Sequence, residues 1–405
     1  MKCIIITLLA FFTFLFLARS QDFNSMLDSG KTEFIKEFEE QDFTKAAYYL
    51  EKAVELNPND AESRYYLAYA YSKMNSKDGK SMIDVDVELV LKSSEQLEKV
   101  NKLCPHYNKE IIVLDPYSKL TSEWGSLAMS YWHKNKIDSA KWAFAEGKKR
   151  GGFDDFALSF NRKLLDACTQ SAYLISSGDN FTIPLWYLQI VENYRKDVSV
   201  IDISLLNTKW YPHYLLKNKI ASFDVTSQSL DSIEHGLWMD SLITINNFTW
   251  TVGPSFENKY LLRGDKLFLS LLNENQFKRE IYFTIGFNEN NRLSLTNYIS
   301  SLIVVEKLTI ESTNNNSEED NLKTVRNILE ISSLINKNSN DELEILDMIR
   351  YYIFYKIESY ITLDDTTSAK KMIDLIDKFA NEMEFPFLTE NMKNYANYLR
   401  SLMKK

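Results

Sequence analysis

Six polar and aromatic residues in the middle of the chain have the types and spacing to bind a polyol. Residues 178–180 read Gly-Asp-Asn directly after the apolar run 171–177, and residues 207–211 read Asn-Thr-Lys-Trp-Tyr directly after a second apolar run, 198–206. Loops that follow the carboxyl ends of neighbouring parallel strands are where open α/β sheets bind ligands. Asp179, Asn180, Asn207 and Thr208 could exchange hydrogen bonds with hydroxyls, while Trp210 and Tyr211 could offer a stacking face. The alternative is turn chemistry: Gly178 supplies a positive φ, Asp179 and Asn180 close an Asx-type turn, and Trp210 packs a domain junction.

Other chemistries find less support. Asp84-Val85-Asp86 has the form of an acidic pair that could hold a metal–nucleotide complex, yet it falls in a polar insertion, where a solvated loop is the better reading. His106, His133, His213 and His235 are scattered, with no two at a ligand spacing, so no metal site is expected. A nucleophile elbow, a phosphate loop and a dinucleotide fingerprint are all missing, so no cofactor and no catalytic residue is expected. Glu192 and Asp202 are the next carboxylates of interest, each inside an expected element where it would bond locally.

The elements that must position the six residues can be read from periodicity. Residues 171–177 and 198–206 read as strands buried on both faces. Between them Thr182 is the expected N-cap of a helix carrying Pro184 in its first turn and an apolar face of Leu185, Leu188, Ile190 and Val191. Two strands joined by such a helix make a right-handed βαβ unit. A hairpin about Asn246-Asn247, a helix over 265–272 and a buried strand over 280–287 continue the region. Residues 312–321 have the composition of a linker, and residues 322–404 read as four helices with Ala369 in a repeat-like position.

Residues 44–58 place Ala46, Leu50, Ala53 and Pro58 at the spacing of a repeat's second helix, and Leu67, Ala68 and Tyr71 follow at first-helix positions. Trp124, Leu127, Ala128, Tyr131, Ala140, Phe144 and Gly147 all fall in one 34-residue register starting at Thr121. Val100 and Pro105 repeat the offset of Ala53 and Pro58, which puts a middle copy's second helix over 87–105 after an insertion at 75–86. Residues 24–155 therefore resemble three tetratricopeptide repeats, with departures at Glu33 and Gly152.

The middle region carries a second resemblance. The strings GDNFTIPLWYLQIVE and DVSVIDISLLNTKWY, with LFLSLLNENQFKREIYFTI later on, are similar to the soluble region of an uncharacterised family of polytopic bacterial membrane proteins related to the protein O-mannosyltransferases. Glu280 stands where that family prefers Pro. The resemblance covers about residues 165–310 and implies a fold and an envelope setting. The membrane-embedded part, where glycosyl transfer is expected in that family, has no counterpart here, so no activity carries over.

The expected organisation is a signal peptide at 1–20, repeats at 24–155, an α/β domain with a mostly parallel sheet at 160–311, a linker at 312–321 and a helical hairpin region at 322–405: α plus α/β overall. Residues 1–20 combine Lys2, an apolar run and Ala18-Arg19-Ser20, the pattern of a cleavable export signal. The run is shorter than the roughly 20 residues that a membrane span needs, an uncleaved anchor being the alternative, and no later segment comes nearer. The net charge of −9 becomes −11 once Lys2 and Arg19 are removed, which disfavours nucleic acid. Cys104 and Cys168 are either one bridge or two free thiols. The expectation is an exported, periplasmic or envelope-associated interaction protein that takes a protein or peptide segment in its repeat groove. The alternative is an accessory that binds envelope glycan through the middle domain, and a glycosyltransferase ranks third.

Overall fold

The computed structural model describes residues 21–77, 81–310 and 317–403; the expected signal segment and the first half of the expected linker, 312–316, lie outside them. The chain divides into two compact units after Gly152.

The first unit is all helical: α1 (21–32), α2 (Phe43–Leu56), α3 (Ala61–Asn75), α4 (Val87–Leu103), α5 (Pro116–His133) and α6 (Ile137–Lys149). Each of α2, α3, α4 and α5 starts behind an aspartate whose carboxylate accepts a first-turn amide: Asp42 from Lys45, Asp60 from Ser63, Asp86 from Glu88, and Asp115 from both Tyr117 and Ser118. From α2 to α6 each helix packs against the next in the chain. Ala46, Ala53, Ala68, Ala128 and Ala140 are buried at the crossings, with Tyr71, Trp124 and Phe144 filling the space between them. Tyr131 is only half-buried, and Pro58 is exposed; instead of packing, Pro58 turns the chain and its carbonyl accepts the Arg64 guanidinium at 2.8 Å. Glu33, standing where an apolar residue is usual, is buried. Burial opposes its charge, yet Lys36 at 2.5 Å and Lys45 at 2.9 Å hold its carboxyl below the usual range.

The second unit opens with α7 (Asp155–Ala167), β1 (Tyr173–Ser176), α8 (Asp179–Ile190), β2 (Ser199–Asp202) and α9 (Trp210–Lys217). Then come β3 (Gly236–Leu237), β4 (Ser241–Ile245), β5 (Phe248–Val252), β6 (Tyr260–Leu261), α10 (Arg263–Asn275), β7 (Ile281–Thr284), β8 (Ile299–Ser301) and β9 (Val305–Leu308). The main sheet has the order β2-β1-β7-β9-β8, with β1 parallel to both neighbours and the β9 pairs antiparallel. Every residue of β1 and β7 is buried, which is why these strands read as unbroken apolar runs. The hairpin β4–β5 turns at Asn246, whose φ is +54°. Helices α11 (Glu318–Leu329), α12 (Asn340–Thr362), α13 (Thr366–Phe379) and α14 (Glu390–Leu402) complete the chain, with Ala369 buried where α13 meets α12. Because α11 starts behind the capping Ser317, residues 318–321 are helical, not linker.

Arg279 binds the amino ends of the parallel strands together. Its guanidinium donates to the carbonyls of Ser171 and Ala172 and to the Ser199 hydroxyl, and lies 3.7 Å over the Tyr173 ring.

Candidate functional site

The loop after β1 holds Gly178 at φ +87°, a conformation open to glycine at no steric cost, and the chain turns directly into α8. The Gly178 carbonyl accepts the amides of Phe181 and Thr182, so the helix begins four residues before the expected cap. Thr182 is thus inside α8, and its hydroxyl is used elsewhere. It donates to Asp202 at 2.6 Å and lies 2.8 Å from the Ser176 hydroxyl. Asp179 and Asn180 occupy the first turn, half-exposed.

Asp202, at the carboxyl end of β2, joins the two loops. It accepts the Leu205 amide as well as Thr182, and its own amide donates to the Tyr211 hydroxyl at 3.0 Å. Burial pushes its carboxyl up to about 6, against the pull of the Thr182 hydroxyl and the loop amides, and the Asp179 charge adds to the rise.

The second loop is largely committed to the fold. The Asn207 carbonyl oxygen accepts the Gly264 amide at 2.8 Å, which seats the start of α10. The Thr208 hydroxyl donates to the Leu205 carbonyl, and its oxygen accepts the Tyr211 amide. Buried Arg263 then donates to the carbonyls of Leu206, Thr208 and Leu230. Tyr211 is buried beneath Asp202, packed against Trp186 and Tyr214. Of this loop's four residues, Trp210 is the aromatic that keeps part of its surface open, edge-on to Tyr211 and Tyr214. Asp179, Asn180, Asn207 and Trp210 are therefore the residues of the set that retain surface, with the Asn207 side chain already bonded to the Gly264 amide and the Ser204 carbonyl.

The sheet's topological switch lies between β1 and β7, on the other side of β1 from the expected loop pair. There the helical C-terminal region covers the strand end. The Tyr352 hydroxyl of α12 accepts the Gly286 amide at 3.3 Å and donates to Glu306, which also meets Arg292 at 2.5 Å.

The acidic pair at residues 84–86 is structural. Asp86 caps α4 and Asp84 lies 3.1 Å from Lys134. Among the described residues no cluster of three metal-ligating side chains occurs, and no helix is long and apolar enough to cross a membrane. Cys104 and Cys168 are free thiols, Cys104 half-buried in the first unit and Cys168 buried in the second. Burial raises the Cys168 thiol to about 12.

In the helical unit, α2 and α4 pack on two sides of α3, leaving a third side that faces Lys31 of α1 and Lys119 of α5. Residues 105–114, which join α4 to α5, lie across this side. Tyr107 stacks on Tyr65 with centroids 4.7 Å apart. The Tyr65 hydroxyl accepts the Ile112 amide and donates to the Leu114 carbonyl; the Tyr69 hydroxyl accepts the Leu114 amide at 2.7 Å and donates to the same carbonyl at 3.0 Å. Lys31 bridges Glu62 and Glu110. This arrangement explains why α3, which reads AESRYYLAYAYSKMN, is buried all round from Ser63 to Ser72. The i,i+4 spacing of Tyr65 and Tyr69 on one helix face is the signal for them in the sequence.

Residues 49–83 match the family model for a tetratricopeptide repeat. The helical unit is tetratricopeptide-like. Residues 157–236, from α7 to β3, match a model described as TMEM260-associated domain 2, which is consistent with the membrane-family resemblance of the middle region. No curated protein matches the chain.

Proposed function

We propose that this protein is an exported, non-catalytic scaffold of a bacterial-type cell envelope that holds a non-helical segment of a partner protein on the first-helix face of its repeats. The reading rests on one observation: Tyr65 and Tyr69 grip the main chain of an irregular segment where it bends, at Ile112 and Leu114, through hydroxyls that bond amides and carbonyls with little regard to side chains. Export is inferred from the pattern of residues 1–20. Crosslinking the full chain in its native envelope should capture a discrete protein partner, and the mature amino terminus should begin at Gln21. A solitary chain that retains residues 1–20 inside the cell contradicts the proposal.

A second reading is favoured by the match over residues 157–236 and by the surface left to Asp179, Asn180 and Trp210. On it, the middle domain is an accessory that binds envelope glycan, with hydroxyls hydrogen-bonded by the polar pair and a sugar face on Trp210. Glycan binding lost in Trp210→Ala or Asp179→Ala with the fold intact supports this reading; binding unchanged in both rules out the cleft.

A further inference from the structure

The segment on the first-helix face has the features of a built-in occupant. We infer that residues 105–114 are a displaceable pseudo-ligand, and that the partner segment which replaces them is a non-helical peptide with a tyrosine, an acidic residue three positions on and an apolar stretch after it. This inference rests on the protein-binding reading above and gives that partner its chemistry.

Three observations carry it. First, the segment is held by groups that suit an exchangeable ligand. No backbone-to-backbone hydrogen bond involves residues 105–114 among the described residues, and the main chain is gripped at Ile112 and Leu114 by two side-chain hydroxyls. A strand or helix would tie itself in cooperatively; this segment does not.

Second, little of it is core. Tyr107 is the one residue of 105–114 that is buried, while Val113 is 65% exposed and Ile111, Ile112 and Leu114 are half-buried. One aromatic ring stacked on another, two half-buried isoleucines and a rim of ions are the composition of a peptide in a groove rather than of a domain interior.

Third, the recognition is sequence-readable in the groove. Tyr65 receives the Tyr107 ring, Lys31 receives the Glu110 carboxylate at 3.0 Å, and the Tyr66 hydroxyl also bonds Glu110. The cationic group that binds Glu110 belongs to α1, the ring that binds Tyr107 belongs to α3, and Tyr117 of α5 donates its hydroxyl to the Pro105 carbonyl at 2.9 Å. The segment therefore samples all three first helices, as a partner peptide would.

The test uses the full chain and a synthetic peptide of residues 105–115, Pro-His-Tyr-Asn-Lys-Glu-Ile-Ile-Val-Leu-Asp. A groove closed most of the time weakens any ligand added in trans by its closed fraction. Tyr107→Ala should open the groove and raise affinity for the peptide at least tenfold over the unaltered chain. Adding Tyr65→Phe and Tyr69→Phe should abolish that binding. Glu110→Gln, which removes only an exposed carboxylate, is the milder second variant. It should speed amide exchange at Ile112 and Leu114 while leaving exchange in α3 unchanged. If neither variant binds the peptide and the amides of Ile112 and Leu114 exchange only together with those of α3, the segment is a permanent part of the fold and the inference is overturned. Capture of a native partner that is unchanged by Tyr107→Ala and Glu110→Gln also overturns it, while leaving the protein-binding reading in place. Peptide binding in the opened variant with no native partner captured supports the displaceable segment and removes the wider reading.

Discussion

Asn161 of α7 donates its side-chain amide to the carbonyl of Asn180, 3.2 Å away, at the position where Pro184 leaves that carbonyl without a helical partner. A proline inside a helix removes the N–H that would bond four residues back, and a carbonyl left unpaired in the interior is costly. Asn161 is fully buried, so the repair comes from a neighbouring helix rather than from solvent. The first turn of α8, which carries Asp179 and Asn180, is held in place by this contact.

Removing Asn161 should therefore cost stability in a way that depends on Pro184. Asn161→Ala is expected to lose about 2 kcal/mol, the usual cost of stranding a buried polar group. In a Pro184→Ala background, where residue 184 regains an N–H for the Asn180 carbonyl, the loss should shrink by about 1 kcal/mol. Urea denaturation of the four chains of this cycle reads the coupling. Equal losses in both backgrounds mean that Asn161 acts through some other contact.

Asp202 sets a pH dependence. Its folded-state value of about 6 lies above the ordinary Asp value, so the folded state binds a proton more tightly than the unfolded chain. Its contribution to stability is fully present below about pH 4 and is lost as the pH rises through 6, because ionising the buried carboxyl is then required. Asp202→Asn removes that titration. Relative to the variant, the unaltered chain should lose about 3 kcal/mol between pH 4 and pH 7, from roughly 1.4 kcal/mol per pKa unit. Denaturation midpoints measured across that range check the sign: a gain with rising pH contradicts the burial assigned to this carboxyl.

Gly286 should accept a side chain only at the cost of backbone strain and of displacing the Met348 side chain of α12. Its φ is +69°, and a Cβ there would lie 2.6 Å from the Met348 sulfur. Gly286→Ala is expected to cost about 2 kcal/mol, part backbone strain and part contact with a flexible side chain. In a Met348→Ala background the strain remains and the contact is gone, so the cost should fall to about 1 kcal/mol. An unchanged cost places the whole effect in the backbone.

The repeats were legible because their signal is local. Alanines at Ala46, Ala53, Ala128 and Ala140 and the aromatics Trp124 and Phe144 recur at fixed spacing, and helix crossings require small residues at those places. The strands β1, β2 and β7 were legible for a similar reason, as short apolar runs between turn signals. The start of α8 was misread because Thr182-Ile183-Pro184 has the form of a cap followed by an early proline, whereas the positive φ of Gly178 begins the helix earlier and a distant asparagine repairs the proline's gap. The commitment of Asn207 and Thr208 to structural bonds depends on Arg263 and Gly264, more than fifty positions away, which no local pattern reports. The occupied groove was hidden for the same reason. Tyr65 and Tyr69 read as packing until residues 112 and 114 are brought onto them across 45 to 49 positions.

The central claim is that the first-helix tyrosines hold a partner's main chain. The most direct measurement is quantitative crosslinked capture from the native envelope, comparing the full chain with a Tyr65→Phe, Tyr69→Phe double variant and an Asp179→Ala, Trp210→Ala double variant. The account expects capture to fall at least tenfold in the first and to persist in the second. Capture that survives the loss of both hydroxyls but disappears with Asp179 and Trp210 contradicts it, and moves the binding function to the middle domain.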